Sequence, residues 1–175
     1  MRLKQLGVNE GLSHSDVTSI VQDQEGYLWL GTNNGLNRYD GNKIRVFKSS
    51  PSDTSGLPES RISSLHADSR GLLWIGMRSK GLCVYNKRTE TFRKVALPGI
   101  GPGKAAFVSA IKEDGNGVIW AVVRGRGIFL LERDRGRINT IKHIGADQGL
   151  PSVHSIVFLS ENRALIASGR GLFSY

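Results

Sequence analysis

The sequence repeats itself with a period of about 45 residues. Trp29, Trp74 and Trp120 are 45 and 46 positions apart, and Leu165 takes the place of tryptophan in a fourth, weaker unit. A glycine follows each of these four residues after six or seven positions, so the repeat does not depend on a single residue type. A period of this length is typical of an array of similar structural units and restricts the fold to repeat architectures.

Each unit consists of short runs of β-forming residues separated by turn residues. In the first unit the runs are 17–22, 27–31, 35–39 and 44–47, which are rich in aliphatic and aromatic residues. Gly, Asn and Asp between them supply the backbone conformations that tight hairpins require. No apolar stripe at helical spacing is present. Four strands in a unit of this length predict one blade of a β-propeller.

We therefore predict an all-β protein, with residues 1–175 forming a single β-propeller of about four four-stranded antiparallel blades. The blades are expected near residues 12–48, 57–95, 104–144 and 151–175. The last has room for three strands only, and residues 2–6 are expected to close it as an N-terminal outer strand. Such a chain is either a complete four-bladed ring or part of a larger propeller. In the second case its open blade faces would be apolar and would favour self-association.

The repeated apolar position has a structural interpretation. One four-stranded meander cannot bury both of its faces, so successive blades stack face to face. We predict that the second-strand residues fill the layers between blades, as a structural inter-blade core: Trp29, Trp74, Trp120 and Leu165. A platform that stacks on carbohydrate is the alternative interpretation of the tryptophans.

The formal net charge of +9 favours an anionic partner. In an up-and-down blade, the turn between the second and third strands shares a face with the connection between blades. This geometry gathers the candidate ligand-binding residues around one rim: Arg78, Lys80, Arg124, Arg126, Arg170, Asn33, Asn34, His14 and His154. The opposite face is expected to be mostly acidic, with Asp23, Glu25, Asp68, Glu113, Asp114 and Glu161. Because arginine pairs well with carboxylate or sulfate, we expect an oligosaccharide or another anionic small ligand.

The sequence offers no pattern for catalysis or metal binding. The four histidines lack metal-ligand spacing, and an acid–base pair of His14 and His154 is the weaker interpretation of their related positions. Cys83 is expected to be a buried spectator. We therefore expect no catalytic residue, metal or cofactor. Nucleic acid is not expected, because aromatic residues are not interleaved with basic ones. Membrane contact is not expected either, and the N-terminus lacks the apolar stretch of a signal peptide.

Two segments resemble a known family. Residues 11–41 and 61–76 closely resemble the two-component regulator propeller repeat, including the Asp-x-x-Gly turn and the Trp-Leu-Gly or Trp-Ile-Gly run. The third unit departs from the pattern, with Val122 in the place of that glycine, and the fourth has lost both the tryptophan and the turn.

The resemblance implies the periplasmic sensor region of hybrid two-component sensor histidine kinases from Bacteroidetes-like bacteria. Such a segment would recognise an oligosaccharide and transmit the signal to a kinase that these residues do not contain, and the basic rim would suit an acidic oligosaccharide. The family pattern marks scaffold positions and implies no ligand-binding residue. A standalone protein-interaction propeller is the alternative, and a propeller lyase or glycosidase is a weaker one, because no catalytic constellation is visible.

Overall fold

The computed structural model describes residues 5–53, 55–101, 103–150, 152–160 and 163–175. Within these residues the chain forms fifteen β-strands and two single-turn 3-10 helices. The strands form four antiparallel sheets, and in each sheet neighbouring strands follow one another in the sequence. The all-β fold and the meander of each blade are therefore confirmed.

The four sheets are named blades 1 to 4. Blade 1 contains β1 (Val17–Gln22), β2 (Leu28–Thr32), β3 (Gly35–Tyr39) and β4 (Ile44–Phe47). Blade 2 contains β5 (Ile62–Ala67), β6 (Leu72–Met77), β7 (Leu82–Asn86) and β8 (Thr91–Val95). Blade 3 contains β9 (Val108–Glu113), β10 (Ile119–Val123), β11 (Gly127–Asp134) and β12 (Arg137–Ile144). Blade 4 contains β13 (Ser155–Ser160), β14 (Arg163–Ser168) and β15 (Gly171–Ser174), and the 3-10 helices Val8–Glu10 and Ala146–Gln148 precede blades 1 and 4.

Apolar layers lie between neighbouring blades. Trp29 and Tyr85 belong to the layer between blades 1 and 2, Trp74 and Phe129 to the next layer, and Trp120 to the layer between blades 3 and 4. Each tryptophan is at most 2% exposed, and truncating a core aromatic typically costs about 3–5 kcal/mol. The structure thus places the three tryptophans in the inter-blade core. Leu165 is half-buried and lies outside these layers.

An aspartate in the turn before the second strand holds each tryptophan. The indole N–H groups donate to these carboxylates over 2.8 Å in three blades: Trp29 to Asp23, Trp74 to Asp68 and Trp120 to Asp114. The same carboxylates accept backbone N–H groups of their own turns, as Asp68 does from Leu72 over 2.7 Å. The Asp-x-x-Gly turn therefore orients the core tryptophan as well as reversing the chain.

The second strands of blades 1 and 2 closely approach the innermost strand of the next blade. A Cβ atom at Gly31 would lie 2.6 Å from Cγ2 of Ile62, and one at Gly76 would lie 2.9 Å from Val108. Glycine is therefore required at this position in the first two repeats. In blade 3 the position is taken by Val122, which is buried in the layer against blade 4. The departure of the third repeat thus reflects a different packing between blades 3 and 4.

The four blades form an open arc. The innermost strands β1, β5 and β9 pack side by side in order, and among the described residues no comparable packing joins blade 4 to blade 1. Apolar side chains are exposed on both outer faces, with Ile20 61% exposed on blade 1 and Val157 and Leu172 55% and 68% exposed on blade 4. Within the described residues the chain is thus a partial propeller of about four blades.

The predicted closing strand, residues 2–6, falls mainly on residues 1–4, which lie outside the described part of the chain. Gln5 and Leu6 are described and do not belong to a strand. Closure of blade 4 by this segment stays a prediction.

Candidate functional site

Turns and inter-blade connections meet on one face of the arc, here called the connection face. The backbone N–H of Gly35 donates to the carbonyl of Ser60 over 2.8 Å, which ties the β2–β3 turn to the connection entering blade 2. In the same way Arg124 donates to the carbonyl of Phe107 over 2.8 Å in blade 3. These bonds place the β2–β3, β6–β7 and β10–β11 turns beside the starts of the innermost strands.

Two of the predicted residues meet at an aromatic ring on this face. The guanidinium carbon of Arg78 lies 5.2 Å from the ring centroid of Phe107, and that of Arg124 lies 4.6 Å from it. Phe107 is half-buried just before β9, and both arginines are exposed. The three residues, here called the arginine pair with its phenylalanine, join blades 2 and 3. Cation–π contacts of this kind restrain the guanidinium groups and leave their N–H donors free for a ligand.

The arginine pair has no counter-charge within the described residues. The ion pairs there involve Arg45, Arg61, His66 and Lys87, and neither Arg78 nor Arg124. Both guanidinium groups are held at one ring and carry the same charge, so this part of the surface attracts anions. This arrangement is suited to a carboxylate or sulfate, which accepts paired N–H donors.

A buried carboxylate supports the turn that carries Arg78. Glu59 is 8% exposed and accepts the backbone N–H groups of Ser79 and Lys80 over 2.8 and 2.9 Å. It also accepts the Ser79 hydroxyl over 2.9 Å and the Arg61 guanidinium over 3.0 Å. Burial alone would raise the pKa of Glu59, but the hydrogen bonds from Ser79, Lys80 and Arg61 outweigh it, so the pKa lies below its usual value. Glu59 is thus a fully engaged anion that orders the turn.

A groove opens beside the arginine pair. It has a volume of about 630 Å³ and lies between the β6–β7 turn, the end of β8 and the connection to β9. Its lining includes Lys80, Lys94 and Lys104 and the apolar residues Leu97 and Ile100, and no acidic residue. Lys94 was not predicted as a site residue from the sequence. It lies in β8, the outermost strand of blade 2, and not in one of the turns or connections of this face.

The other predicted residues lie on the same face but do not join the arginine pair. Arg126 and Arg170 are exposed in the equivalent turns of blades 3 and 4. Asn33 donates to the Asp16 carboxylate, and Asn34 donates to the Ser13 carbonyl over 3.4 Å, so both amides hold the connection of blade 1 in place.

The two histidines do not form a pair. His14 accepts the backbone N–H of Asp16 over 2.9 Å in the connection before β1, whereas His154 donates its own backbone N–H to Ala167 over 2.9 Å at the edge of β13. They belong to opposite ends of the arc. The connections that enter blades 1 and 2 contain a repeated Gly-Leu-x-x segment, whose last position is His14 before blade 1 and Glu59 before blade 2. His14 therefore corresponds to Glu59 and not to His154. The expectation that they occupy related positions was wrong, because His14 lies fifteen residues before Trp29, whereas His154 lies eleven residues before Leu165.

The expectation of an acidic opposite face was also wrong. Asp23 and Asp68 are 7% and 4% exposed, because their carboxylates point inward to the tryptophans. Burial raises the pKa of Asp23, but hydrogen bonds from Trp29 and Lys87 outweigh it and lower the pKa overall. An open groove on that face is lined by more basic than acidic residues, with Arg70, Lys87, Arg88 and Arg133 beside Glu25. Glu161 lies outside the described residues.

The geometry gives no support to a metal site or a reactive thiol. Within the described ranges no group of three His, Cys, Asp or Glu side chains is arranged to hold a metal ion. Cys83 is buried in the layer between blades 1 and 2, and burial raises the pKa of its thiol. His66 and Glu113 approach to 3.4 Å across blades 2 and 3, where Glu113 also accepts the Ser69 hydroxyl over 2.6 Å. No helix in the described part of the chain is long and apolar enough to cross a membrane.

Comparisons with known proteins agree with this architecture. A segment of 46 residues is 44% identical to histidine kinase P4 of Formosa agariphila and covers 26% of this chain and 3% of the kinase. An extracellular domain assigned to a hybrid two-component system of B. thetaiotaomicron shares the fold, with a TM-score of 0.83 at 24% identity over 98% of this chain and 24% of that one. A second such domain from the same organism has a TM-score of 0.71 at 25% identity over 92% of this chain and 21% of its own.

The chain therefore spans about a quarter or less of the length of these relatives. Residues 11–34 and 56–79 match the two-component regulator propeller family, and these segments contain the β1–β2 and β5–β6 hairpins. These two segments are what the chain shares with the two-component regulator propeller family, and the kinase segment and the shared fold agree with that likeness.

Proposed function

We propose that this chain is a ligand-sensing propeller segment that binds an acidic oligosaccharide on its connection face. The observation that carries the proposal is the arginine pair, Arg78 and Arg124 on Phe107, without a counter-charge among the described residues. A sensor role is supported by the likeness to extracellular domains of hybrid two-component systems and to a histidine kinase. We further propose that the chain works in the periplasm and that its signal passes to a kinase outside it.

The chemistry of the arginine pair favours an acid over a neutral sugar. Each guanidinium can donate two parallel hydrogen bonds to a carboxylate or sulfate, and such charge-assisted bonds contribute about 1.5–3 kcal/mol each. A neutral hydroxyl offers no charged acceptor, so its hydrogen bonds to the two arginines would be weaker. The ligand class is therefore a glycan fragment that carries carboxylate or sulfate groups, and the segment itself is proposed to bind without catalysing a reaction.

Isothermal titration calorimetry tests the proposal. The full chain is titrated with hexagalacturonate and, as a neutral ligand of the same length, with cellohexaose. We expect binding of hexagalacturonate only, weakened about tenfold to a hundredfold in the double variant R78A/R124A because two charge-assisted contacts are lost. The control variant R88A/R137A removes the same charge from exposed arginines elsewhere, and we expect its affinity to stay close to that of the wild type.

Equal binding of the two hexasaccharides, or equal losses in both double variants, would contradict the proposal. The alternative function, a protein-interaction scaffold, predicts a different ranking of ligands. In that case an acidic octapeptide of glutamate would bind the wild type more tightly than hexagalacturonate and would lose affinity in R78A/R124A.

A further inference from the structure

We propose that the groove lined by Lys80, Lys94 and Lys104 is a second anion subsite, so that the connection face recognises a linear polyanionic oligosaccharide rather than one charged sugar. This inference rests on the proposed function and specifies its ligand class.

The groove and the arginine pair lie on the two sides of one short backbone pairing. Lys80 and Ala106 form an isolated parallel bridge, with Gly81 donating to the Ala106 carbonyl over 3.0 Å and Ala106 to the Ser79 carbonyl over 3.0 Å. Ala106 lines the groove, and the next residue, Phe107, carries the two arginines. Successive side chains of an extended chain point to opposite sides, which explains this division. The two cationic features are therefore adjacent and held by the same rigid backbone.

The groove runs outward from the arginine pair. Phe107 immediately precedes the innermost strand of blade 3, whereas Lys94 lies in β8, the outermost strand of blade 2. Neighbouring strands lie about 4.8 Å apart, so three strand spacings across a blade amount to about 14 Å. A ligand that reaches from the arginine pair to Lys94 at the outer end of the groove must be extended over roughly this distance, which requires several linked sugar residues.

The charge in the groove is uncompensated. Lys80, Lys94 and Lys104 are exposed, take part in none of the ion pairs of the described residues, and share the groove with no acidic side chain. The one carboxylate beneath the turn, Glu59, is already engaged by the backbone N–H groups of Ser79 and Lys80. Lysine is a flexible point charge, suited to a row of anions whose spacing varies.

The residues that line the groove favour an acidic oligosaccharide over a nucleic acid. Leu97, Ile100 and Ala106 provide apolar contact surface, and no aromatic side chain lines the groove. Proteins that bind single-stranded nucleic acid combine such basic grooves with aromatic rings on which bases stack. The observations therefore favour a uronate or sulfated oligosaccharide.

The test measures how affinity depends on ligand length. Di-, tetra- and hexagalacturonate are titrated into the full-length wild type, into K80A/K94A/K104A, and into the matched control K43A/R88A/K112A, which removes three exposed cations elsewhere. We expect wild-type affinity to rise about tenfold from the disaccharide to the hexasaccharide. In K80A/K94A/K104A this rise is expected to disappear, with disaccharide binding unchanged within about twofold. The control is expected to keep the full rise, and all variants should unfold at the wild-type temperature.

Each contrary result identifies what fails. The second subsite would be overturned if the wild type bound the disaccharide and the hexasaccharide equally. It would also be overturned if K80A/K94A/K104A kept the full rise of affinity with ligand length. Either result would leave the proposal for the arginine pair intact. Failure of every galacturonate to bind the wild type would overturn the proposed function and this inference together. An oligothymidylate that binds more tightly than hexagalacturonate, with a loss in K80A/K94A/K104A, would overturn the ligand class.

Discussion

At the scale of single residues, buried carboxylates in this protein build the scaffold. Asp23, Asp68 and Asp114 orient core tryptophans, and Glu59 orders the turn that carries Arg78. The repeated Asp-x-x-Gly signal could be recognised in the sequence as a turn. The hydrogen bond from the tryptophan indole to the aspartate of this turn could not be predicted, because the sequence does not show which way the carboxylate points. For the same reason the opposite face was expected to be acidic.

The lowered pKa of Glu59 predicts a pH-dependent contribution to stability. Its pKa in the folded state lies below the ordinary value of 4.5, so its contribution is fully present above pH 4.5 and is lost as the pH falls through the folded pKa. We expect E59Q to cost about 1–3 kcal/mol at neutral pH, because a buried set of donors loses its charged acceptor. Urea denaturation of both proteins at pH 7 and pH 3 should show this difference shrinking at the lower pH. A difference that stays constant, or grows on acidification, would show that the charged form of Glu59 is not what stabilises the turn.

At the scale of the blade, the distance from a second strand to the innermost strand of the next blade decides which repeats keep the glycine of the sequence pattern. Gly31 and Gly76 meet the next blade at distances that exclude a Cβ atom, while the Val122 side chain is accommodated in the layer between blades 3 and 4. The strong first and second repeats were therefore predictable as propeller blades. The reason why the third and fourth repeats are weaker could not be predicted from the sequence, because it depends on how blade 4 is placed against blade 3.

Gly31→Ala tests this packing. The new methyl group would lie 2.6 Å from Cγ2 of Ile62, and such overpacking typically costs about 1–3 kcal/mol. The matched control is Gly101→Ala, where a Cβ atom would meet nothing within 4 Å, and the free energy of unfolding should not fall. Both values come from chemical denaturation. An unchanged stability in Gly31→Ala would mean that the two blades are less closely packed than described here.

At the scale of the whole molecule, the arc leaves two apolar sheet faces exposed. Leu172 and Val157 lie on the outer face of blade 4, and Ile20 lies on that of blade 1. In blades 1 to 3 the equivalent face packs against the next blade, whereas in blade 4 it is open. This face is therefore suited to packing against the open apolar face of another blade 1. We propose that two copies of this chain pair through them.

Light scattering over a range of concentrations measures this association. We expect the mass of two chains for the wild type and of one chain for V157D/L172D, because a charge buried in an apolar contact is costly. Thr89→Asp, an exposed position in the β7–β8 turn of blade 2, is the control and should remain associated. A wild type with the mass of a single chain at every concentration would refute the pairing.

The connection face is also a property of the whole molecule, since it joins residues of several blades. Its basic turns were predictable from the repeat. Phe107 and Lys94 were not, because neither belongs to a repeated position and their approach to the turns is a long-range consequence of the fold.

Amide chemical shifts measured by NMR on the isotopically labelled chain locate the bound ligand most directly. On addition of hexagalacturonate, we predict the largest shifts at the backbone amides of Arg78, Phe107 and Arg124, followed by Lys80 and Ala106. Shifts confined to the opposite face, around Arg70 and Arg133, or no shifts at all, would contradict the account.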